Sequence, residues 1–396
     1  MGKRGLNRAP PASQVIDSFP APSSDLTALA AKQPIMVGLS GGVDSSVAAA
    51  LLLEQGLPVE ALFMKNWEED DSEGYCAAAA DLADARAVAD HLGLHLHAVN
   101  FATEYWDRVF AQFLAEYRAG RTPNPDVLCN REIKFRAFLD HALGLGARGI
   151  ATGHYARVEQ DTTGWHLRLC ADPDKDQTYF LYLLDQYQLA HSHFPLGHLR
   201  KNQVRKIATR LGLTTAGKRD STGICFIGER RFRDFLSRYL PHDPGPIETP
   251  EGLTLGEHRG LAFYTVGQRQ GLGVGGLRGG AEAPWFVAAK DQGRNALVVV
   301  QGGDHPLLLS DGAVIEQVHW ISGRPPERPL DCLARARHRQ PLQACRVLGY
   351  DQDRALVRFR SPQRALAPGQ SLVIYLNDEC LGGGIISETA PVGNAP

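Results

Sequence analysis

The chain has 396 residues, 43% of them hydrophobic and 22% charged, with a formal net charge of −2. It is too long for one core, so two or three water-soluble domains are expected. The balanced charge excludes a globally basic coat, so a nucleic-acid surface would have to be a local patch, and no apolar run reaches transmembrane length.

Residues 1–33 are rich in Pro, Ala and Ser and contain no sustained apolar segment of the secretory kind. They read as a disordered tail. The cysteines Cys76, Cys129, Cys170, Cys225, Cys332, Cys345 and Cys380 are scattered and form no Cys-x-x-Cys pair. This is neither a disulfide framework nor a zinc knuckle. A reducing, cytoplasmic home is expected, where an important cysteine acts by chemistry.

Pro34 to Ser46 reads PIMVGLSGGVDSS. A short apolar run breaks into a glycine turn, and Val47–Leu53 then has helix-forming bias. Strand, glycine turn and helix N-terminus together bring backbone N–H groups and a positive dipole end to one point, an anion site. The Gly-Lys-Ser/Thr ending of a P-loop is missing. Ser40-Gly41-Gly42-Val43-Asp44-Ser45-Ser46 instead resembles the pyrophosphate loop of the N-type ATP pyrophosphatases, which cleave ATP between the α and β phosphates and pass AMP to a substrate oxygen. A plain capped glycine turn is the structural alternative.

From Pro34 to about Thr152 strands and helices alternate. Strands are expected at Val59–Lys65, His95–Asn100 and Gly149–Thr152, and helices at Cys76–Leu92, Thr103–Arg118 and Arg131–Leu145. Repeated β-α-β units imply an α/β fold with a doubly wound parallel sheet, whose ligands lie at the carboxyl ends of the strands. Ala156–Cys170 reads as a hairpin turning at Gly164. Gln177–Leu189 and Lys201–Leu211 read as helices. The expected domains are a catalytic one over 34–240, a small β-rich one over 241–308 and a C-terminal β-barrel over 309–390. The last two follow from short alternating runs between Pro and Gly, such as Ala313–Val318, Cys345–Leu348, Ala355–Phe359 and Ser371–Leu376.

Arg121 to Phe135 reads RTPNPDVLCNREIKF. Two prolines stiffen the approach to a helix expected to begin near Asn130, a good N-cap. Cys129 would then sit beside a helix N-terminus, where the dipole favours the thiolate. Asp126 stands three residues earlier. A buried, packed cysteine is the alternative, and the polar, proline-rich context argues for exposure. Cys225, in Asp220-Ser221-Thr222-Gly223-Ile224-Cys225-Phe226, is followed by Arg230, Arg231 and Arg233. It reads equally as a reactive thiol or as a packed one.

Several segments in register extend the resemblance. They are the glycine loop, Phe63-Met64-Lys65-Asn66-Trp67, Asn124–Asn130, Ala151-Thr152-Gly153-His154-Tyr155, Lys175–Tyr179, Gly223–Gly228 and Tyr264–Gly273. From Pro34 to Ser387 the chain resembles the MnmA family of tRNA-specific 2-thiouridylases. The resemblance implies ATP-dependent 2-thiolation of the wobble uridine in tRNAs for Glu, Gln and Lys. The C2 oxygen would be adenylated and then replaced by sulfur. It implies ATP contacts at Gly38, Leu39, Ser40, Gly41, Gly42, Val43, Asp44, Ser45, Met64 and Gly153. By the same resemblance Cys225 carries sulfur as a persulfide, Cys129 completes transfer by forming a disulfide with it, and Asp126 is the general acid/base.

Expected tRNA contacts are Asn124, Pro125, Asp126, His154, Lys175, Asp176, Gln177, Arg337, His338 and Gln370. The target base would be flipped from its stack, and the anticodon arm would be the docked element. Independently, Arg335 to Arg339 reads as a basic strand with alternate residues on one face, suited to phosphates. The expected companions are ATP with Mg²⁺ and an upstream sulfur-carrier protein, with no membrane and a monomeric state. Glu68–Asp71 reads as a solvated acidic loop, and no structural metal is assigned. Two rival readings stand beside this one. An amide-forming synthetase with the same loop would not need paired cysteines, and a non-catalytic RNA-binding module would not consume ATP.

Overall fold

A computed structural model describes residues 33–68, 77–220, 235–275, 283–351 and 353–393. The expected tail therefore lies outside the described residues, as do Cys76, Cys225 and the arginines after it. From β1 (Ile35–Gly38) the chain passes through α1 (Val43–Glu54), β2 (Val59–Lys65), α2 (Ala77–Leu92) and β3 (Leu96–Asn100). Two long helices follow, each carrying a π-helical segment. α3 is Ala102–Tyr105, Trp106–Phe110 and Ala111–Arg118, and α4 is Pro125–Cys129, Asn130–Ala137 and Phe138–Gly144. Then come β4 (Gly149–Ala151), the hairpin β5 (Arg157–Asp161) and β6 (Gly164–Arg168), α5 (Gln186–Ala190), β7 (Ser192–His193) and α6 (Lys201–Arg210).

The first sheet runs β3-β2-β1-β4-β7 with every neighbour parallel. Its direction of winding reverses between β1 and β4, which opens a crevice at their carboxyl ends. Ile35, Met36 and Val37 are fully buried, as a central parallel strand covered on both faces requires. The doubly wound α/β reading of this half is what the structure has.

The helix expected over Gln177–Leu189 does not form as one piece. A single 3₁₀ turn, Thr178–Phe180, is followed by turns until α5. Tertiary partners override the local bias here. Asp176 accepts from Cys170 N at 2.9 Å and from Thr178 Oγ1 at 2.5 Å, and the Gln177 amide oxygen accepts from Tyr155 N at 2.9 Å. Tyr179 is drawn into the core, where its hydroxyl lies 3.0 Å from Ser371 O.

The central sheet consists of β8 (Gly245–Glu248), β9 (Thr254–His258), β10 (Trp285–Asp291) and β11 (Ala296–Gln301), in the order β10-β11-β8-β9. Ile247, Tyr264, Leu272, Val287, Leu297 and Val299 form its core. The last sheet holds β12 (Leu309–Trp320), β13 (Leu330–Arg335), β14 (Gln343–Asp351), β15 (Arg354–Arg364), β16 (Ser371–Leu376) and β17 (Glu379–Pro391). Its order is β12-β15-β14-β13-β16-β17, and β12 pairs back onto β17 to close a six-stranded barrel. The hairpin β5–β6 extends the same sheet, with Cys380 opposite Leu167 and Glu379 opposite Arg168. Asp378 receives Arg157 Nη2 and Arg168 Nη1, both at 2.7 Å. We propose domain boundaries near 240 and 308, between the sheets.

Arg335 to Arg339 is not an alternating strand. β13 ends at Arg335, whose side chain is buried over the Tyr375 ring at 5.0 Å, and 3.7 Å from Asp176. Arg337 and Arg339 lie exposed in the turn that follows. The strand's alternation stops because Arg335 is used inside.

Barrel closure places one glycine under test. Gly382 has φ +137, and a Cβ there would fall 2.0 Å from His319 O across the β12–β17 seam. Gly382→Ala is expected to lower stability by about 3 kcal/mol through backbone displacement. Urea denaturation followed by tryptophan fluorescence checks this.

Candidate active site

The glycine turn after β1 is shaped by bonds to its carbonyls. Gly41 has φ +72, and a Cβ there would lie 2.4 Å from Asp81 O. Both facts demand glycine. Gly42 caps α1 in extended conformation, and its carbonyl accepts from Ser46 Oγ at 2.8 Å, Ser45 Oγ at 3.1 Å and Ser46 N at 3.2 Å. Lys218 Nζ donates to Gly41 O at 3.0 Å while paired with Asp81 and Asp84. In a trans peptide C=O and N–H point opposite ways. Fixing these two carbonyls therefore aims the Gly42 and Val43 N–H groups away from them at the helix N-terminus, an arrangement suited to an anion.

Gly153, just past β4, forms the facing wall. A Cβ there would lie 2.7 Å from Ser45 N and 2.8 Å from Asp44 C. At Gly38 the neighbours of an added Cβ would be Phe138 Cε1 at 3.2 Å and Met64 Cε at 3.4 Å. Met64 is the next-to-last residue of β2 and Phe138 belongs to α4, so the loop, Met64, Gly153 and α4 meet at one edge of the sheet.

A set of charges that motif reading missed surrounds this edge. Both Asp44 carboxylate oxygens accept from Lys201 Nζ at 2.8 Å, and Oδ1 also accepts from Tyr155 OH at 2.8 Å. Lys201 reaches Asp220 as well, and Asp220 further receives Lys175 and Arg205, each at 2.7 Å. Burial and the Asp44 charge push the Tyr155 phenol far up, so it stays a donor. Burial opposes ionisation of Asp220, but the bonds from Lys175 and Lys201 outweigh it and bring its carboxyl down to about 2. Lys201 and Lys218 belong to no recognisable motif, Asp220 stands only at the head of the Cys225 segment, and only folding brings them together.

The cysteine-bearing turn differs from its expected form. Asn124, not Asn130, caps α4, its Oδ1 accepting from Asp126 N at 3.1 Å, with Pro125 at the first helical position. The proline that stiffens the loop is also preorganised to start a helix. Asn130 is buried inside α4 and donates to Phe180 O at 3.1 Å. Cys129 is therefore one turn into the helix and only 1% exposed, within the core that holds Met36, Val127 and Phe138. The exposure expected for it is corrected. Asp126, three residues earlier, shares its helical face and is half-buried. Cys225 lies outside the described residues, between Asp220 and Phe235.

The comparisons with known proteins span nearly the whole described chain. The tRNA methyl transferase HUP domain family matches residues 33–229, the tRNA methyl transferase PRC-barrel domain 233–301 and the aminomethyltransferase beta-barrel domain 310–386. The tRNA-specific 2-thiouridylase MnmA of Tolumonas auensis is 60% identical over 357 residues, 89% of this chain and 96% of that protein. That of Methylococcus capsulatus is 59% identical over 360 residues, 90% and 97% of the two chains. The chain belongs to the MnmA family. A Klebsiella pneumoniae member is 58% identical over 362 residues, 91% of this chain and 98% of its own.

Most positions that the MnmA resemblance marks for tRNA make contacts within the chain. The His154 ring lies near Phe135 and Phe194, and burial together with Lys134 keeps it neutral. Lys175 pairs with Asp220 and is partly exposed, whereas Asp176 is 2% exposed. His338 donates from Nε2 to Asp176 O at 2.7 Å, and burial lowers its pKa. The exposed Arg337 donates to Ala365 O and Val266 O. Gln370 donates to Thr122 O.

Asp220 yields a pH test. Its folded pKa lies below the ordinary 3.8, so its contribution to stability is complete above that value and fades as pH falls through it. The thermal midpoint of wild type should exceed that of Asp220→Asn by a constant margin from pH 7 to 5. That margin should shrink below about pH 4. A margin independent of pH down to about 3 would contradict the ion-pair account.

Proposed function

We propose that the protein replaces the C2 oxygen of the wobble uridine of tRNAs for Glu, Gln and Lys by sulfur, consuming ATP. The observation that carries this reading is that α4 links cradle and thiol. Phe138 lies against Gly38 at the foot of the glycine loop, and the same helix begins with Asp126 and Cys129. The cradle of Gly38 to Ser45, with Met64 and Gly153, takes ATP. The uridine C2 oxygen attacks the α-phosphorus and pyrophosphate leaves. Activation is needed because a urea-like oxygen is a very poor leaving group.

The terminal sulfur of a Cys225 persulfide then bonds to C2, and AMP departs with the former oxygen. Cys129 thiolate attacks Cys225 Sγ, the bond to the transferred sulfur breaks, and 2-thiouridine leaves as the Cys129–Cys225 disulfide forms. Asp126 moves the accompanying proton, and a thiol reductant restores the enzyme. An upstream sulfur-carrier protein supplies the persulfide sulfur. Asn124, Pro125, His154, Lys175, Gln177 and Arg337 meet the flipped base and the anticodon arm. No three His, Cys, Asp or Glu side chains converge as a metal set among the described residues. Mg²⁺ would enter with the ATP, held mainly by the phosphates rather than by a dedicated protein cage. In the same residues no helix is long and apolar enough to cross a membrane, and a cytoplasmic monomer is the proposed working form.

The test is incubation with ATP, Mg²⁺, a persulfide donor and unmodified glutamate tRNA, followed by nucleoside mass analysis. Wild type should form 2-thiouridine with AMP, and Cys129→Ser and Cys225→Ser should each lose about 100-fold or more. Full activity of Cys225→Ser at limiting persulfide donor would remove its carrier role. ATP-independent tRNA binding alone would favour the RNA-binding module.

A further inference from the structure

Thr122 lies two residues before the cap of α4, is 8% exposed, and is held from two sides through its N, O and Oγ1. From the barrel, Pro368 O accepts from Thr122 N at 3.0 Å and Gln370 Nε2 donates to Thr122 O. Gly369 between them has φ +92, and a Cβ there would lie 2.7 Å from Thr122 N. The barrel loop thus lies flat on the approach to α4. From the central sheet, Lys290 Nζ donates to Gly120 O at 3.0 Å and to Thr122 Oγ1 at 3.4 Å. Gln292 Nε2 donates to Ala119 O at 2.6 Å. Residues 119 and 120 follow the last turn of α3, where helix carbonyls need outside donors.

Lys290 is unusual in this role. Among the described residues it pairs with no carboxylate, and burial alone brings its pKa down to about 8. Burying an ammonium without an anion is costly, so an apolar side chain would serve better if the site only needed filling. What the lysine adds is its grip on Gly120 and Thr122. Pro123 and Pro125 stiffen the link onward, and a shift at Thr122 is therefore transmitted to Asn124 and the first turns of α4.

We propose that Lys290 is a positioning residue for sulfur transfer, acting from the central sheet through Gly120 and Thr122 to fix the turn Asn124–Cys129, with Gln370 as its counterpart on the barrel. This gives the central domain a part in the reaction without contact to the reacting atoms. It rests on the reading of Asp126 and Cys129 above.

The test uses the full-length protein as Lys290→Met and Lys290→Gln, with Glu257→Ala, an exposed residue of β9 in the central domain, as control. Iodoacetamide labelling of each cysteine is followed by peptide mass, and thiolation is measured at varied tRNA. Both Lys290 variants should label Cys129 about fivefold faster or more, with Cys345 in the barrel core unchanged. Their kcat should fall about tenfold or more, with KM for tRNA within about twofold. Glu257→Ala should match wild type in both.

Wild-type labelling and kcat in either folded Lys290 variant would overturn the proposal. So would a rise in KM alone, which marks an RNA contact, or equal acceleration at Cys345 in both variants, which marks general loosening. If Lys290→Met does not fold, Lys290→Gln decides. Full activity of Cys129→Ser would instead sink the chemical reading, while the labelling shift would still report the brace.

Discussion

Two backbones meet without a side chain between them where Gly153 lies on Asp44 and Ser45, so close that a Cβ would stand 2.7 Å from an amide nitrogen. That approach sets the spacing of β4 from the first turn of α1. It also confines the anion site to a slot rather than an open helix end. The slot's donors are backbone groups, which cannot move without the strand and helix that carry them. Donors held this way are preorganised, and preorganised donors in a confined site stabilise developing charge more than mobile side chains do.

Around the slot, charged groups are neutralised in pairs. Lys201 spans Asp44 and Asp220, and Lys218 joins the loop to Asp81 and Asp84. From Asp44 the bonding continues through Tyr155 to Gln177, and from the adjacent Asp176 to His338 and Arg335 of the barrel. The Asp176–Arg335 pair is buried, so its net contribution to stability is small although losing one partner would be costly. Its plain consequence is register: the barrel and the nucleotide edge hold one arrangement. Residues that family resemblance marks as RNA contacts serve as struts within the chain, and an alanine scan read only as RNA affinity would misassign them.

Much was legible in the sequence because the signals were local. Strands at Val59–Lys65 and Ser371–Leu376 have the expected bounds, and the hairpin turning at Gly164 forms as read. The glycine loop was legible for the same reason, since the freedom of φ and the absence of a Cβ are properties of glycine itself. What escaped was non-local. The β5–β6 hairpin belongs to the barrel sheet through two register pairs with β17, and nothing within it announces that partner. Gln177–Leu189 has helical bias but yields to bonds with Tyr155, Cys170 and Ser371. Cys129 was read as exposed because its neighbours are polar. The cap lies at Asn124, and α4 turns Cys129 inward with Val127 and Ile133.

The most direct measurement follows the oxygen. Transcribed glutamate tRNA carrying ¹⁸O at C2 of the wobble uridine would be given to the protein with ATP and a persulfide donor for one turnover. Adenylation of that oxygen predicts that the label leaves in AMP, in amount equal to the 2-thiouridine formed. Label found in water or pyrophosphate, with unlabelled AMP, would contradict the adenylate and with it the role assigned to the glycine slot.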